Sequence, residues 1–224
     1  KNFDKDLIIP LLETKKVFAY LSCEYVKDMG TPDRLIAVTE DIKSGKVEKR
    51  NIKNKQKAIF LDRDGTINKY IGFLSDINDF ELIHNVADAI KDINKSDFLA
   101  IVITNQPVIA RGEVTFEELE EIHKKMETLL GEKGAYVDAI YYCPHHPDKG
   151  FEGEVTELKI DCDCRKPKPG MLLRAAEEFN IDLTKSYMIG DSDVDIKTAE
   201  NAGCKSIKIE CAEDFWKKFN IQKL

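Results

Sequence analysis

No stretch of the 224 residues approaches the roughly 18 consecutive apolar residues that a membrane span requires. The start at Lys1 also lacks the basic, apolar and small-residue regions of a secretory leader. The expectation is a cytoplasmic protein with no membrane partner. Positive charge is short as well: 34 Lys and Arg stand against 41 Asp and Glu, a net of −7, and no basic stripe is present. That argues against nucleic acid as a partner while leaving room for a local cationic pocket that takes phosphate. Internal repeats and low-complexity tracts are missing. Six cysteines in a chain of this size do not resemble a secreted disulfide scaffold, and Cys162 and Cys164 lie too close together for an ordinary bridge. Metal ligation or free thiols remain. What is present, 42% hydrophobic and 33% charged residues with 12 Gly and 7 Pro, fits one globular domain plus an appendage.

From Lys57 onward apolar runs alternate with helical patterns. Strands are predicted over Ala58–Leu61, Phe98–Ile103, Val137–Tyr142, Tyr187–Ile189 and Ser206–Ile209. Helices are predicted over His84–Asn94, Phe116–Leu130, Met171–Phe179, Asp195–Ala202 and Asp214–Phe219. This alternation specifies an α/β fold, a Rossmann-like parallel sheet of three layers with helices on both faces and right-handed crossovers. The polar segment Asn51–Gln56 breaks the periodicity, which places a small appendage at 1–54 and the main domain at 55–224. Within the appendage the pattern gives a helix-like Lys5–Glu13, a strand-like Val17–Leu21, and Gly30-Thr31-Pro32 as a turn into a short helix. So short a piece is not expected to bury a core of its own.

The run Ala58-Ile59-Phe60-Leu61 leads directly into Asp62-Arg63-Asp64-Gly65-Thr66. Alternation along an extended chain points residues i and i+2 the same way, so Asp62 and Asp64 share a face at the carboxyl end of a buried strand, and Gly65 permits a sharp turn. Ligands of open α/β sheets collect there. Paired acids at such a place serve as nucleophile and proton donor or hold a hard cation; a plain β-turn is the structural alternative. Three further polar groups are expected at strand ends: Thr104-Asn105, Arg165-Lys166, and Gly190-Asp191-Ser192-Asp193-Val194-Asp195. Each has its own structural reading: Thr104, Asn105, Asp191 and Asp193 as helix caps, Lys166 as a solvated charge.

Taken together and in this order, the four groups resemble the motifs of the haloacid dehalogenase superfamily of phosphotransferases, over roughly Lys57 to Ile209. The resemblance implies that Asp62 is the nucleophile that takes the phosphoryl group and that Asp64 is the acid that protonates the leaving oxygen. A carboxylate attacks phosphorus, whereas an alkoxide leaves poorly without a proton. It further implies that Thr104 and Asn105 hydrogen-bond phosphoryl oxygens, that Lys166 neutralises their charge, and that Asp62, the Asp64 backbone carbonyl and Asp191 hold Mg²⁺. Asp195 reads as a supporting acid. The interval between Thr66 and Thr104 is short, and a helix, a strand and one loop account for most of Asn105–Arg165, so no large cap domain is expected. A capless, open pocket favours a soluble sugar phosphate.

Cys143-Pro144-His145-His146-Pro147 is followed by Cys162-Asp163-Cys164-Arg165-Lys166-Pro167. Three thiols and an imidazole in two close pairs match a closed tetrahedral zinc site, with buried cysteines and a surface histidine as the bland alternative. The pairing resembles the zinc-loop branch that contains heptose 1,7-bisphosphate 7-phosphatases and histidinol-phosphate phosphatases. Thr104-Asn105-Gln106-Pro107-Val108-Ile109-Ala110-Arg111-Gly112 is similar to that branch's TNQSGIARG segment, with Pro107 and Val108 in place of Ser and Gly. By resemblance the ligands are Cys143, His145, Cys162 and Cys164, with His146 an alternative to His145. The zinc would then staple a loop that positions Arg165 and Lys166 on substrate, a structural role and not a hydrolytic one.

Phe18-Ala19-Tyr20 and Tyr25-Val26-Lys27-Asp28-Met29-Gly30-Thr31-Pro32-Asp33-Arg34-Leu35 resemble the carboxyl end of sugar-phosphate nucleotidyltransferases. That implies a fused nucleotidyltransferase in a parent protein, with Asp28 matching a metal-binding acid there; Asp28 as a turn residue before Gly is the alternative. Three functions follow as expectations: a heptose bisphosphate phosphatase, a histidinol-phosphate phosphatase, and a catalytically silent zinc-containing accessory domain of a transferase. Retention of Asp62, Asp64, Lys166 and Asp191 speaks against the third.

Overall fold

Strand β1 (Lys57–Leu61) owes its central place to having no polar side chain after Lys57: four consecutive residues are fully buried. A strand apolar on both faces must be covered on both faces. In this computed structural model, which describes residues 2–14, 17–18, 22–150 and 152–224, the five parallel strands run β3-β2-β1-β4-β5. The others are β2 (Phe98–Asn105), β3 (Ala139–Cys143), β4 (Tyr187–Gly190) and β5 (Lys205–Lys208). Leu61 pairs with Val102 on one side and Ile189 on the other, so β1, β2 and β4 finish side by side.

Period-two alternation divides the core into two layers. Ile59, Leu61, Val102 and Ile189 face helices α2 (Val86–Lys95), α3 (Phe116–Glu132) and α6 (Ala212–Lys218) through Ile90, Ile93, Ile122, Met126 and Trp216. Ala58, Phe60, Ile101, Ile103 and Met188 face α4 (Gly170–Glu178) and α5 (Asp193–Ala202) through Met171, Leu172, Ala175 and Ala199. Helix α3 starts where a capping box allows it: Thr115 Oγ1 accepts from Glu118 N at 3.1 Å, and Glu118 Oε2 accepts from Thr115 N at 2.8 Å. The segment between β1 and β2 holds one 3₁₀ turn, Ile77–Asp79, ahead of α2, in keeping with the capless expectation.

The expected strands and helices of 55–224 form with boundaries shifted by a residue or two, and Thr104 and Asn105 lie within β2 as its last two residues. The appendage has a π-helical turn, Asp4–Ile8, continuing as Ile9–Leu12, then α1 (Pro32–Lys43), capped by Thr31 Oγ1 and opened by Pro32. Of the strand-like Val17–Leu21, Val17 and Phe18 are not in a strand and Ala19, Tyr20 and Leu21 lie outside the described residues. Asp28 takes the turn geometry: Oδ1 accepts from Gly30 N at 2.8 Å, and its carboxylate pairs with Arg34. The polar connector is fastened to the main domain. Gln56 N donates to Asn180 O at 3.0 Å, Asp182 N donates to Gln56 O at 2.9 Å, and Asn180 Nδ2 reaches the carbonyl of Ile52 at 2.9 Å. Arg50 and Asp138 form a buried ion pair at 3.3 Å.

Candidate active site

A cleft of about 320 Å³ opens at the carboxyl ends of β1, β2 and β4, lined by Asp62, Asp64, Thr104, Asn105, Arg165, Lys166 and Asp191. Three strand ends deliver five of these. Asp62 continues the β1 ladder, donating its N–H to Ile189 O at 3.0 Å. The chain then turns through Gly65, whose φ of +81° only glycine adopts freely and where a Cβ would stand 2.1 Å from Asp191 Oδ2. The glycine lets the Asp191 carboxylate approach the acidic loop.

Arg165 and Lys166 are not at a strand end, as expected from sequence, but in the turn-rich segment ahead of α4. A side chain of β2 brings them in: Asn105 Oδ1 accepts from Lys166 N at 3.0 Å and Asn105 Nδ2 donates to Lys166 O at 3.1 Å. The Asn105 amide is therefore committed to the Lys166 main chain and keeps one N–H for any ligand. The Lys166 ammonium, 3% exposed, sits 2.8 Å from Asp62 Oδ1 and 2.6 Å from Asp195 Oδ1. Burial alone lowers a lysine pKa, but the two carboxylates outweigh it and hold Lys166 above its ordinary value. Burial likewise lifts the Asp62 carboxyl, so its charge depends on the cations around it.

The carboxylate oxygens of Asp62, Asp191 and Asp195 lie within 4.8 Å of one another, a spacing one cation spans. Asp195 is otherwise engaged: Oδ1 binds Lys166, and Oδ2 accepts from Ser192 N at 3.1 Å and Ser192 Oγ at 2.6 Å. It anchors Lys166 and the start of α5. Asp62 and Asp191 remain as the pair with oxygens for a hard cation.

The four ligand atoms of Cys143, His145, Cys162 and Cys164 also lie within 4.8 Å of one another. Neighbouring pairs are spaced at 3.5 Å (Cys143–Cys162), 3.3 Å (Cys162–Cys164) and 3.4 Å (His145 Nδ1–Cys164). A tetrahedral zinc with Zn–S near 2.3 Å places its sulfurs about 3.7 Å apart, so the donor set fits. Burial pushes the thiols of Cys143 and Cys164 up, the latter to about 11, and a divalent cation supplies the opposite pull. His146 turns away: its Nδ1 accepts from Asp148 N at 3.2 Å. Arg165 Nη1 donates to His145 O at 3.1 Å, which joins this loop to the cleft.

The sequence reading missed a network behind Asp64. Arg63 has no exposed surface, and its Nε and Nη2 both donate to the Asp64 carboxylate. Gln106, Asn68 and His123 complete it. The available signal was Arg63 itself, a cation placed between two acids.

Residues 163–211 match the family model described as HAD-hydrolase-like. Over 150 residues the chain is 46% identical to D-glycero-beta-D-manno-heptose-1,7-bisphosphate 7-phosphatase of Escherichia coli strain K12, covering 66% of this chain and 76% of that protein. The chain belongs to the HAD-like phosphatases. This HAD-like phosphatase is also 44% identical, over 66% of its length and 78% of the relative's, to the protein of the same name from Haemophilus influenzae. The crystal structure of D,D-heptose 1,7-bisphosphate phosphatase from B. bronchiseptica, complexed with magnesium and phosphate, superposes with a TM-score of 0.62 at 34% identity, over 71% of this chain and 84% of that one.

Proposed function

We propose that this phosphatase removes the 7-phosphate of D-glycero-D-manno-heptose 1,7-bisphosphate through an aspartyl-phosphate on Asp62. The observation that carries the reading is the convergence of Asp62, Asp64, Thr104, Lys166 and Asp191 on one cleft. The substrate is supported by 46% identity to a protein named for that reaction. Asp62 attacks phosphorus while Lys166, 2.8 Å from it, offsets charge on the phosphoryl oxygens. The Thr104 hydroxyl and the free N–H of the Asn105 amide donate to those oxygens. Asp64 gives its proton to the leaving oxygen and then takes one from the water that releases phosphate. Arg165, tied to His145 O, is placed for the rest of the substrate.

Asp62, Asp191 and the Asp64 carbonyl would hold Mg²⁺, which supplies positive charge opposite the phosphoryl group. Cys143, His145, Cys162 and Cys164 would hold a structural Zn²⁺. Residues 55–224 form the phosphatase domain in this reading, and 1–54 an appendage that resembles the end of a nucleotidyltransferase.

The test is turnover of a panel: both anomers of heptose 1,7-bisphosphate, the β anomer first because the relatives are named for it, and histidinol phosphate. Phosphate release from a heptose bisphosphate, at a kcat/KM at least about tenfold above histidinol phosphate, is expected; a tenfold ratio corresponds to about 1.4 kcal/mol of preference. Preference for histidinol phosphate would overturn the substrate. Inactivity on all three with Mg²⁺ present would favour the accessory-domain reading.

A further inference from the structure

The Asp64 carboxylate accepts more hydrogen bonds than a proton donor can keep. Arg63 Nε and Nη2 reach Oδ1 at 3.2 and 3.0 Å, Nη2 reaches Oδ2 at 2.9 Å, Asn68 Nδ2 reaches Oδ1 at 2.9 Å, and Gln106 Nε2 reaches Oδ2 at 2.8 Å. A carboxyl that carries a proton has lost an acceptor site, so one contact must give way in the acid form. Arg63 is not free to yield. It has no exposed surface, and a buried guanidinium without its partners is strongly unfavourable. Its remaining contacts hold it from behind: Nη2 donates to Gln106 Oε1 at 3.0 Å, and Nη1 lies 3.3 Å from Nε2 of His123, a buried imidazole. Burial, with the Arg63 charge adding to it, pushes the His123 pKa down to about 3, so the ring is neutral and accepts.

Gln106 is neutral, so giving up its contact with Asp64 strands no buried charge. Its Nε2 also donates to Thr104 Oγ1 at 2.9 Å, and Thr104 is 1% exposed at the phosphoryl end of β2. With its oxygen accepting from Gln106, the Thr104 hydroxyl keeps its hydrogen for another acceptor, and Thr104 lines the cleft. One amide thus bridges the group that protonates the leaving oxygen and a group that seats the phosphate.

We propose that Arg63 and Gln106 are positioning residues for proton transfer: Arg63 fixes the Asp64 carboxyl, and Gln106 is the yielding contact that couples its orientation to phosphate bound at Thr104. The inference rests on Asp64 being the proton donor. In the first step the bond from Asp62 Oδ to phosphorus forms as the bond from phosphorus to the leaving oxygen breaks, and the Asp64 proton moves to that oxygen. In the second, water attacks phosphorus, its proton returns to Asp64, and Asp62 is released as a carboxylate with free phosphate.

The test measures alcohol release in single turnovers, enzyme in excess and Mg²⁺ present, for two substrates: p-nitrophenyl phosphate, whose leaving group needs no proton, and the sugar phosphate the parent cleaves fastest. Gln106→Met and Arg63→Lys, both near in volume to the parent residue, are compared with Asp64→Asn, with zinc content and circular dichroism as folding controls. Gln106→Met should slow the sugar phosphate about tenfold or more while changing the aryl phosphate less than about threefold, since general acid catalysis contributes 10²–10⁴ only where a proton is required. Arg63→Lys should show the same selectivity. Equal losses on both substrates, or none on either, in folded Gln106→Met and Arg63→Lys would overturn the inference, even with Asp64→Asn selective. If Asp64→Asn itself slows both equally, the proton-donor assignment falls and this inference with it.

Discussion

Asp62 and Asp64 stand one residue apart in different surroundings, and neutralising them should fail in different ways. In the proposed mechanism Asp62→Asn replaces the nucleophile by an amide and removes a cation ligand, so turnover of every substrate should drop by roughly 10³-fold or more, read as phosphate release. Parent-like activity in Asp62→Asn would exclude the aspartyl-phosphate. His123 carries a second prediction, on stability. It is buried against Arg63, with the Tyr142 ring centroid 5.5 Å away and Asp64 beyond the guanidinium. Its folded pKa of about 3 lies below the unfolded value near 6.5, so the unfolded chain binds a proton first as pH falls. Stability from this site is complete above about pH 6.5 and is lost toward pH 3, with a limiting slope on the order of 1.4 kcal/mol per pH unit. Urea midpoints of parent and His123→Gln across pH 4–7 should converge as pH falls; parallel curves would refute it. The acids were legible in the sequence because a strand, a turn glycine and two carboxylates are all local. Apart from the local signal of Arg63 between two acids, the network with Asn68, Gln106 and His123 was not, because only the fold joins a loop, the end of β2 and the middle of α3. His123 followed Leu119 and Ile122 on the apolar face of a helix, where histidine reads as core.

At the scale of elements, two pieces without catalytic atoms set the geometry of those that have them. The loop from Cys143 to Cys164 carries His145, whose carbonyl takes Arg165. Elemental analysis should find about one zinc per chain, as one closed site implies. Cys162→Ser should lower zinc retention and raise the KM for sugar phosphate more than it lowers kcat. Full zinc occupancy in a Cys143/Cys162/Cys164 triple serine variant would refute the ligand set. Helix α6 braces the chain just past the acidic loop: Trp216 Nε1, 3% exposed with its residue, donates to Thr66 O at 2.7 Å. Trp216→Phe leaves that buried carbonyl unpaired and should cost about 1–3 kcal/mol in urea unfolding. Element types were legible from periodicity, since apolar runs and 3.6-residue faces were plain. The place of Lys166 was not, because what holds it is a side chain of β2 and no strand of its own.

For the whole molecule, the connector Asn51–Gln56 read as a boundary because it is polar, but its polar groups are spent on the main domain through Asn180 and Asp182. Arg50 and Asp138, 9% and 4% exposed, form the deepest of these ties. Arg50→Leu strands the Asp138 carboxylate and should lower unfolding free energy by about 3–5 kcal/mol, while turnover, whose groups all lie beyond Lys55, persists. A loss of activity in folded Arg50→Leu would argue that the appendage shapes the cleft. The strand order has a consequence in time. β1 lies between β2, the next strand in the chain, and β4, which arrives after β3. As the chain leaves the ribosome, Asp62, Arg63 and Asp64 are followed by Gln106 and His123 while Lys166, Asp191 and Asp195 are still unmade. The residues of the proposed proton transfer are all made first. A chain that ends with β3 therefore holds the Asp64 network but none of Lys166, Asp191 and Asp195 beside Asp62, and on the proposed mechanism it cannot attack phosphate esters.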